Sequence, residues 1–192
     1  MDGIFLDTET LGLSPLKHAI VEISFKILDL STQECKAVYS SVVKQPREAW
    51  EQKDPGSLMI NGFTWEEIEQ GEPIPVVARE VIDIFSQANI QRGSSVFICQ
   101  NPSFDRAFFS QLIDTYTQEK LNWPYHWLDL ASMFWAMQVR NAQEQQRPIP
   151  HIPSFSKDSI AKVYNLPPEQ TPHRSLNGVD HLIACYKAVL NI

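Results

Sequence analysis

The sequence predicts a single α/β domain, and three observations lead to this prediction. The chain has 192 residues, 43% of them hydrophobic and 20% charged, which suits one globular domain with a core large enough to fold alone. The first half contains runs in which apolar and polar residues alternate, a pattern typical of strands. From residue 74 onwards, helical spacing alternates with short apolar runs, which indicates alternating helices and strands. We therefore expect residues 1–192 to form one domain that combines a sheet with helices.

The first half is predicted to contain three strands. Alternation of apolar and polar residues places them at 3–8, 19–30 and 35–44. The polar segment STQE between the second and third strands predicts a turn, so we expect antiparallel pairing. Farther along, Thr64 can cap a short helix, and Glu67 three residues later completes a capping box.

The second half is predicted to alternate helices with strands. We expect helices at 74–89, 101–118, 157–166 and 175–190, a strand at 94–101, and a short strand that leads into another helix within 125–140. The helix at 101–118 begins favourably, with Asn101 as cap and Pro102 at the first helical position. The segment 143–156 is rich in proline and polar residues, which predicts a surface loop.

Composition excludes several classes of protein. Sixteen basic against 23 acidic residues give a formal charge of −7, which argues against binding nucleic acid through a broad basic face. A phosphate partner would have to be bound locally, for example by carboxylates loaded with divalent cations. No apolar run approaches the roughly 20 residues that cross a bilayer, so we expect no membrane segment and a cytoplasmic location. The widely separated Cys35, Cys99 and Cys185 predict small buried hydrophobic residues rather than disulfides or a zinc site.

Asp7 and Glu9 stand at the end of the first predicted strand, in the sequence IFLDTETLGL. Side chains at i and i+2 of a strand project to the same side, so both carboxylates can face one ligand. Their repulsion would raise a proton affinity unless a cation lies between them. Hard oxygen ligands suit Mg²⁺ or Mn²⁺. The alternative is that Asp7 caps a turn and Glu9 is solvated.

Three further residues extend this acidic pattern. Asp105 lies in the first turn of the helix that follows the strand at 94–101, where the helix dipole alone would also stabilise a carboxylate. His173 and Asp180 are seven residues apart and share one face if both are helical, although a lone surface histidine is often incidental. The combination of these residues indicates a site more strongly than any one of them.

Three segments of the chain match a known family: FLDTETLGL, NPSFDRAFF and HRSLNGVDHLIACY. They resemble the DEDD superfamily of 3′→5′ exonucleases in its histidine-containing (DEDDh) branch. This branch includes proofreading subunits, RNase T and oligoribonuclease. Weaker matches are INGFTWEEI and HWLDLASMF, so the resemblance spans about residues 3–190. The resemblance implies a ribonuclease H-like fold, with a mixed five-stranded sheet flanked by helices on both faces.

By this resemblance, Asp7, Glu9 and Asp105 are metal ligands and His173 is the general base. The implied activity is hydrolysis of phosphodiester bonds from the 3′ end of single-stranded or short DNA or RNA, with release of nucleoside monophosphates. Two Mg²⁺ or Mn²⁺ ions would activate a water molecule and stabilise the departing oxygen, with Asp7 between them. A homodimer is implied by the likeness to RNase T and oligoribonuclease, whereas a polymerase partner and the identity of the sugar are left open.

The fourth acid departs from the family pattern. It usually follows the histidine by five positions, which here is Gly178, with Asn177 beside it. We expect Asp180 to be the fourth metal ligand if the start of the last helix is shifted, with Asn177 as a weak oxygen ligand. If Gly178 instead occupies the fourth acid position, the chain is a weakened or non-catalytic module that binds nucleic acid or protein on the same fold.

The resemblance also implies residues that bind the substrate. The backbone around Thr10 and Leu11 would contact the terminal sugar, and Leu13 and Phe63 would wedge against the bases, since stacking suits a single strand of any sequence. Arg106 would contact the phosphate backbone, although a solvated arginine is the alternative.

Overall fold

A mixed sheet of five strands lies at the centre of the molecule, in a computed structural model that describes residues 1–192. The strands are β1 (Asp2–Thr10), β2 (Ile20–Asp29), β3 (Cys35–Val42), β4 (Ser95–Cys99) and β5 (Trp127–Asp129). Their order across the sheet is β3-β2-β1-β4-β5. β1, β2 and β3 pair antiparallel, whereas β4 runs parallel to β1 and β5 runs parallel to β4. The predicted mixed five-stranded α/β fold is confirmed.

Nine helices surround or flank this sheet. They are α1 (Arg47–Glu51), α2 (Pro55–Asn61), α3 (Trp65–Glu69), α4 (Ile74–Gln87), α5 (Pro102–Leu112), α6 (Thr115–Lys120), α7 (Leu130–Glu144), α8 (Lys157–Val163) and α9 (Ser175–Leu190). The predicted capping box is present, because Thr64 and Glu67 exchange hydrogen bonds at the start of α3. None of the nine helices is both long and apolar enough to cross a membrane.

The helix predicted at 101–118 is broken into α5 and α6. Asp114 adopts an extended backbone, and its side chain accepts hydrogen bonds from the backbone N–H groups of Tyr116 and Thr117. This cap satisfies the first free N–H groups of α6, so a new helix begins there and α5 does not continue.

Helices cover both faces of the central strand β1, which explains why nearly all of its residues are buried. Ile4 and Leu6 pack into one hydrophobic cluster with residues of α4 and α5. Phe5, between them, points to the other face and packs with residues of α7, α8 and α9. The C-terminal end of β1 therefore lies between two layers of helices, and side chains there are shielded from water.

The cysteines follow the prediction in two of three cases. Cys99 and Cys185 are buried free thiols, but Cys35 is exposed because it begins the edge strand β3. The prediction that all three are buried is thus wrong for Cys35.

Candidate active site

Three acidic side chains meet around the C-terminal end of β1. Asp7 and Glu9 project from the same side of the strand and are nearly buried. Asp105 reaches the same region because α5 directly follows β4, which runs parallel to β1. The hydroxyl of Thr8 donates a hydrogen bond of 2.8 Å to Asp105 Oδ1 and fixes that carboxylate beside β1. The structure therefore brings together three of the predicted metal ligands.

The buried carboxylates are electrostatically under-compensated. Burial, followed by repulsion from Asp7, raises the pKa of Glu9 to about 8. The same two causes raise the pKa of Asp105 well above its usual range. Burial also raises the pKa of Asp7, although the nearby Lys157 opposes this effect. Such a cluster favours a bound cation, because a positive charge among the carboxylates would relieve both the repulsion and the loss of hydration.

His173 lies beside this cluster but outside any helix, since α9 begins only at Ser175. Its backbone N–H donates to the carbonyl oxygen of Ile60 at 3.0 Å, which connects the approach to α9 with α2. Its ring is partly exposed, and Nδ1 lies 3.8 Å from Oε1 of Glu169. The histidine thus stands at the mouth of the site with one ring nitrogen directed towards a buried carboxylate.

The structure does not bring Asp180 to the cluster. Its side chain is 55% exposed and forms an ion pair with Lys26. Gly178 is the residue of α9 that faces Asp7, since a Cβ atom there would lie 2.8 Å from Asp7 Cγ. Two residues farther along a helix lie about 200° around its axis, so Asp180 points away when Gly178 points inward. The predicted placement of Asp180 as the fourth ligand is wrong.

The shared helical face predicted for His173 and Asp180 is also wrong, because His173 precedes α9. Asn177 lines the same surface depression as Asp180. The residue of α9 that faces Asp7, Gly178, has no side chain with which to bind a metal ion.

Two residues that the sequence analysis missed take part in the site. Nζ of Lys157 lies 3.1 Å from Asp7 Oδ1 and 3.0 Å from Glu169 Oε2. Glu169, whose side chain is only 3% exposed, reaches inward from the loop between α8 and α9. Neither residue belongs to a periodic pattern. One available signal was the charge of Lys157 at the start of a predicted helix, where the helix dipole disfavours a cation.

Three of the predicted substrate-binding residues, Thr10, Leu11 and Phe63, are buried, and the last two share one hydrophobic cluster. Leu11 and Phe63 belong to a small hydrophobic cluster with Trp50 and Ile68. The guanidinium of Arg174 covers the Phe63 ring at 3.8 Å from its centroid. Phe63 is therefore unable to stack on a base in this conformation, and the prediction of an exposed wedge at this residue is wrong.

The other predicted substrate contacts differ in their accessibility. Leu13 is 77% exposed and available to a ligand. Thr10 is buried, and its carbonyl oxygen already accepts a hydrogen bond from the side chain of Asn61 at 3.0 Å. Arg106 lies half-buried in α5, one residue after Asp105. Leu13 and Arg106 are thus the predicted contacts that remain open to solvent.

The donor set fits a carboxylate-bound cation in its chemistry, but it does not fit the predicted set of four acids around two ions. No group of three His, Cys, Asp or Glu side chains is already arranged as a ligand set. Oδ1 of Asp7 is engaged by Lys157, and Oδ1 of Asp105 is engaged by Thr8. The three buried acids still supply the hard oxygen donors that Mg²⁺ and Mn²⁺ prefer. Position 178 supplies none.

Comparison with known proteins identifies the fold. No family model matches the chain, and no curated protein matches it. Among solved structures, E. coli exonuclease I in complex with a dT13 oligonucleotide is similar at 20% sequence identity and a TM-score of 0.75, over 98% of this chain and 40% of that chain. A zinc-bound form of the E. coli exonuclease I complex with single-stranded DNA is similar at 18% identity and a TM-score of 0.76, over 99% and 40%. An apo exonuclease I gives the same identity and score, over 99% and 42%.

The chain therefore spans about two fifths of the length of these exonucleases. At this level of identity the likeness shows the fold, which is the ribonuclease H-like fold of those neighbours.

Proposed function

We propose that this ribonuclease H-like chain is a metal-dependent 3′→5′ exonuclease of the histidine-containing DEDD type. Its substrate would be the 3′ end of single-stranded or short DNA or RNA, and its products nucleoside monophosphates. The observation that carries the proposal is the convergence of Asp7, Glu9, Asp105 and His173 at one end of β1. The solved exonuclease I structures, which include complexes with oligonucleotides and a product-bound form, support the same class of reaction.

The acidic residues would hold the cation. Asp7, Glu9 and Asp105 provide buried carboxylates whose raised pKa values reflect the lack of a positive partner. Mg²⁺ or Mn²⁺ suits these oxygen donors. When bound, such an ion would supply a more acidic water molecule and neutralise charge on the phosphate.

His173 would accept the proton of the attacking water. The Glu169 carboxylate near Nδ1 favours the tautomer that carries its proton on Nδ1, which leaves Nε2 as the acceptor. The partly exposed position of the ring at the mouth of the site allows contact with both solvent and substrate. His173 thereby combines a free acceptor nitrogen with access to the reacting phosphate.

The single strand would enter past the exposed Leu13, which offers an apolar surface to the terminal bases. Arg106, open to solvent beside Asp105, would contact the phosphate backbone. The backbone of Leu11 and Thr10 remains the proposed neighbour of the terminal sugar. A homodimer and a cytoplasmic location stay predictions.

A second function is favoured by one observation, the position of Gly178 opposite Asp7. A site without its fourth acid would turn over slowly or not at all, and the chain would then bind nucleic acid or protein without cutting it. This alternative predicts oligonucleotide binding without release of mononucleotides.

The test is hydrolysis of a single-stranded oligonucleotide labelled at its 5′ end, with Mn²⁺ or with chelator. We expect stepwise shortening from the 3′ end with Mn²⁺ and none with chelator. Asp7→Asn should reduce the rate by about 100-fold or more, because it removes a charged ligand from the centre. Asp180→Asn is the matched control and should retain the parent rate, since its side chain points away from the site. A parent chain that binds the oligonucleotide without shortening it would support the alternative.

A further inference from the structure

Gly178 allows Lys157 and Asp7 to meet. A Cβ atom at position 178 would lie 2.8 Å from Asp7 Cγ and 3.0 Å from Lys157 Nζ. Both distances are shorter than ordinary van der Waals contacts with a carbon atom. A side chain at this position would therefore compete for the space that the carboxylate and the ammonium now share. The lack of an acid at position 178 and the presence of Lys157 in the site are therefore linked, because a side chain at 178 would occupy the same space.

The ammonium of Lys157 is fully engaged. Its three possible hydrogen bonds have three acceptors, Asp7 Oδ1 at 3.1 Å, Glu169 Oε2 at 3.0 Å and the carbonyl oxygen of Gly178 at 3.5 Å. Two buried carboxylates, those of Asp7 and Glu169, lie within salt-bridge distance of this ammonium and pair with it. With no donor left for a substrate, Lys157 acts through the groups it holds and is a positioning residue.

The helix that carries Lys157 does not explain its position. Lys157 is the first residue of α8, directly after the cap Ser156. A cation at the N-terminus of a helix is unfavourable, and burial of an ammonium costs free energy unless it is paired. Lys162, in the last turn of the same helix, shows the ordinary exposed placement of a lysine. Only the two carboxylates account for the inward position of Lys157.

The surrounding backbone fixes this pairing. The backbone N–H of Glu169 donates to Asp158 Oδ1 at 2.8 Å, which joins the loop before α9 to the first turn of α8. Lys157, the neighbour of Asp158, is thereby held opposite the Glu169 carboxylate. Both side chains are largely shielded from water. The ion pair is a fixed part of the site and not a surface contact.

This arrangement reduces the number of metal ions that Asp7 can bind. By the resemblance to the DEDD exonucleases, Asp7 would help to hold two metal ions, and a fourth acid would help to hold one of them. Here Asp7 Oδ1 is occupied by an ammonium, and position 178 offers no carboxylate. One oxygen of Asp7 remains for a metal ion, together with Glu9 and Asp105.

We propose that Lys157 takes the place of one of the two cations, so that the centre binds one divalent ion between Asp7, Glu9 and Asp105. The inference rests on the proposed function, because it concerns the same acidic site. Lys157 would supply a fixed positive charge beside Asp7 where a second ion would otherwise bind, and Glu169 would hold it there.

The test counts Mn²⁺ ions on the whole chain by titration, with free Mn²⁺ followed by electron paramagnetic resonance. An ion is assigned to the acidic site when the parent chain binds it and the Asp7→Asn variant does not. We expect one such ion in the parent chain and two in the double variant Lys157→Met, Gly178→Asp, which removes the ammonium and restores the acid. Lys162→Gln, on the same helix but exposed, is the matched control and should bind one.

The outcomes separate this inference from the proposed function. Two ions on the parent chain would overturn the inference and leave a metal-dependent nuclease intact. No ion on the parent chain would overturn the proposed function and the inference with it. A folded double variant that still binds one ion would also contradict the role of Lys157. Lys157→Arg keeps the charge and should bind one ion, so it provides a second reading if the double variant does not fold.

Discussion

At the scale of single residues, the site is defined by buried charge. Asp7, Glu9 and Asp105 are removed from water near the end of β1, and among them only Asp7 is directly contacted by a cation, Lys157. Burial of a carboxylate is tolerated when a partner compensates it. The excess of negative charge at this end of β1 is the physical reason to expect a bound cation.

The metal-free chain should depend on pH through Glu9. Its pKa is raised from about 4.5 in the unfolded chain to about 8 in the folded chain, so the folded state binds the proton more tightly. The stability contributed by protonated Glu9 is therefore full below pH 4.5 and lost as pH rises towards 8. We expect chemical unfolding with chelator present to show this loss, and Glu9→Gln to be less sensitive to pH across the same window. Identical pH profiles for parent and variant would contradict the environment described for Glu9.

The residues of the site differ in whether their positions could be predicted from the sequence. The positions of Asp7 and Glu9 could be predicted because both lie near the end of a strand that the pattern identifies, and that of Asp105 because it lies in the first turn of a predicted helix. Asp180 was misplaced because a shift of two residues on a helix reverses the direction of a side chain, and spacing alone does not fix where α9 begins. Lys157 and Glu169 could not be predicted, since their partners lie far away in the sequence.

At the scale of elements, the position of α9 on the sheet decides which residue faces Asp7. Val179, Leu182 and Cys185 of α9 pack in the same cluster as Phe5 of β1. This packing sets the rotation of the helix, and it directs Gly178 towards the site and Asp180 towards solvent. The strands and most helices could be predicted from periodicity, but this rotation depends on tertiary packing.

Truncation of one buried side chain of α9 should therefore lower the free energy of unfolding. Leu182→Ala is expected to lower the free energy of unfolding by about 2–5 kcal/mol, because Leu182 is fully buried and its loss leaves a cavity. Leu16→Ala, at a leucine that is 99% exposed, should change it by less than about 0.5 kcal/mol. Denaturant unfolding of both variants measures the difference. Equal effects would contradict the packing of α9 on the sheet.

At the scale of the whole molecule, the formal charge of −7 restricts how nucleic acid can bind. This net charge argues against a broad basic face, so we expect affinity for a polyanion to come from a local cation and from apolar contacts with bases. The acidic composition and the buried carboxylates at β1 thus support the same proposal, a metal ion bound at this end of the strand.

Binding should therefore depend on divalent cations more than on salt. An oligonucleotide with a phosphorothioate 3′ end, which resists hydrolysis, should bind about 10-fold or more tightly with Mn²⁺ than with chelator in fluorescence anisotropy. Its affinity should fall only modestly between 50 and 200 mM salt, because few basic residues release counterions. A steep salt dependence with no effect of chelator would indicate a basic binding face instead.

Anomalous scattering from crystals of the chain grown with Mn²⁺ tests the proposed metal site most directly. We predict a manganese peak enclosed by the carboxylates of Asp7, Glu9 and Asp105, with Lys157 still paired to Asp7. Crystals saturated with Mn²⁺ that show no peak among these three side chains would contradict it.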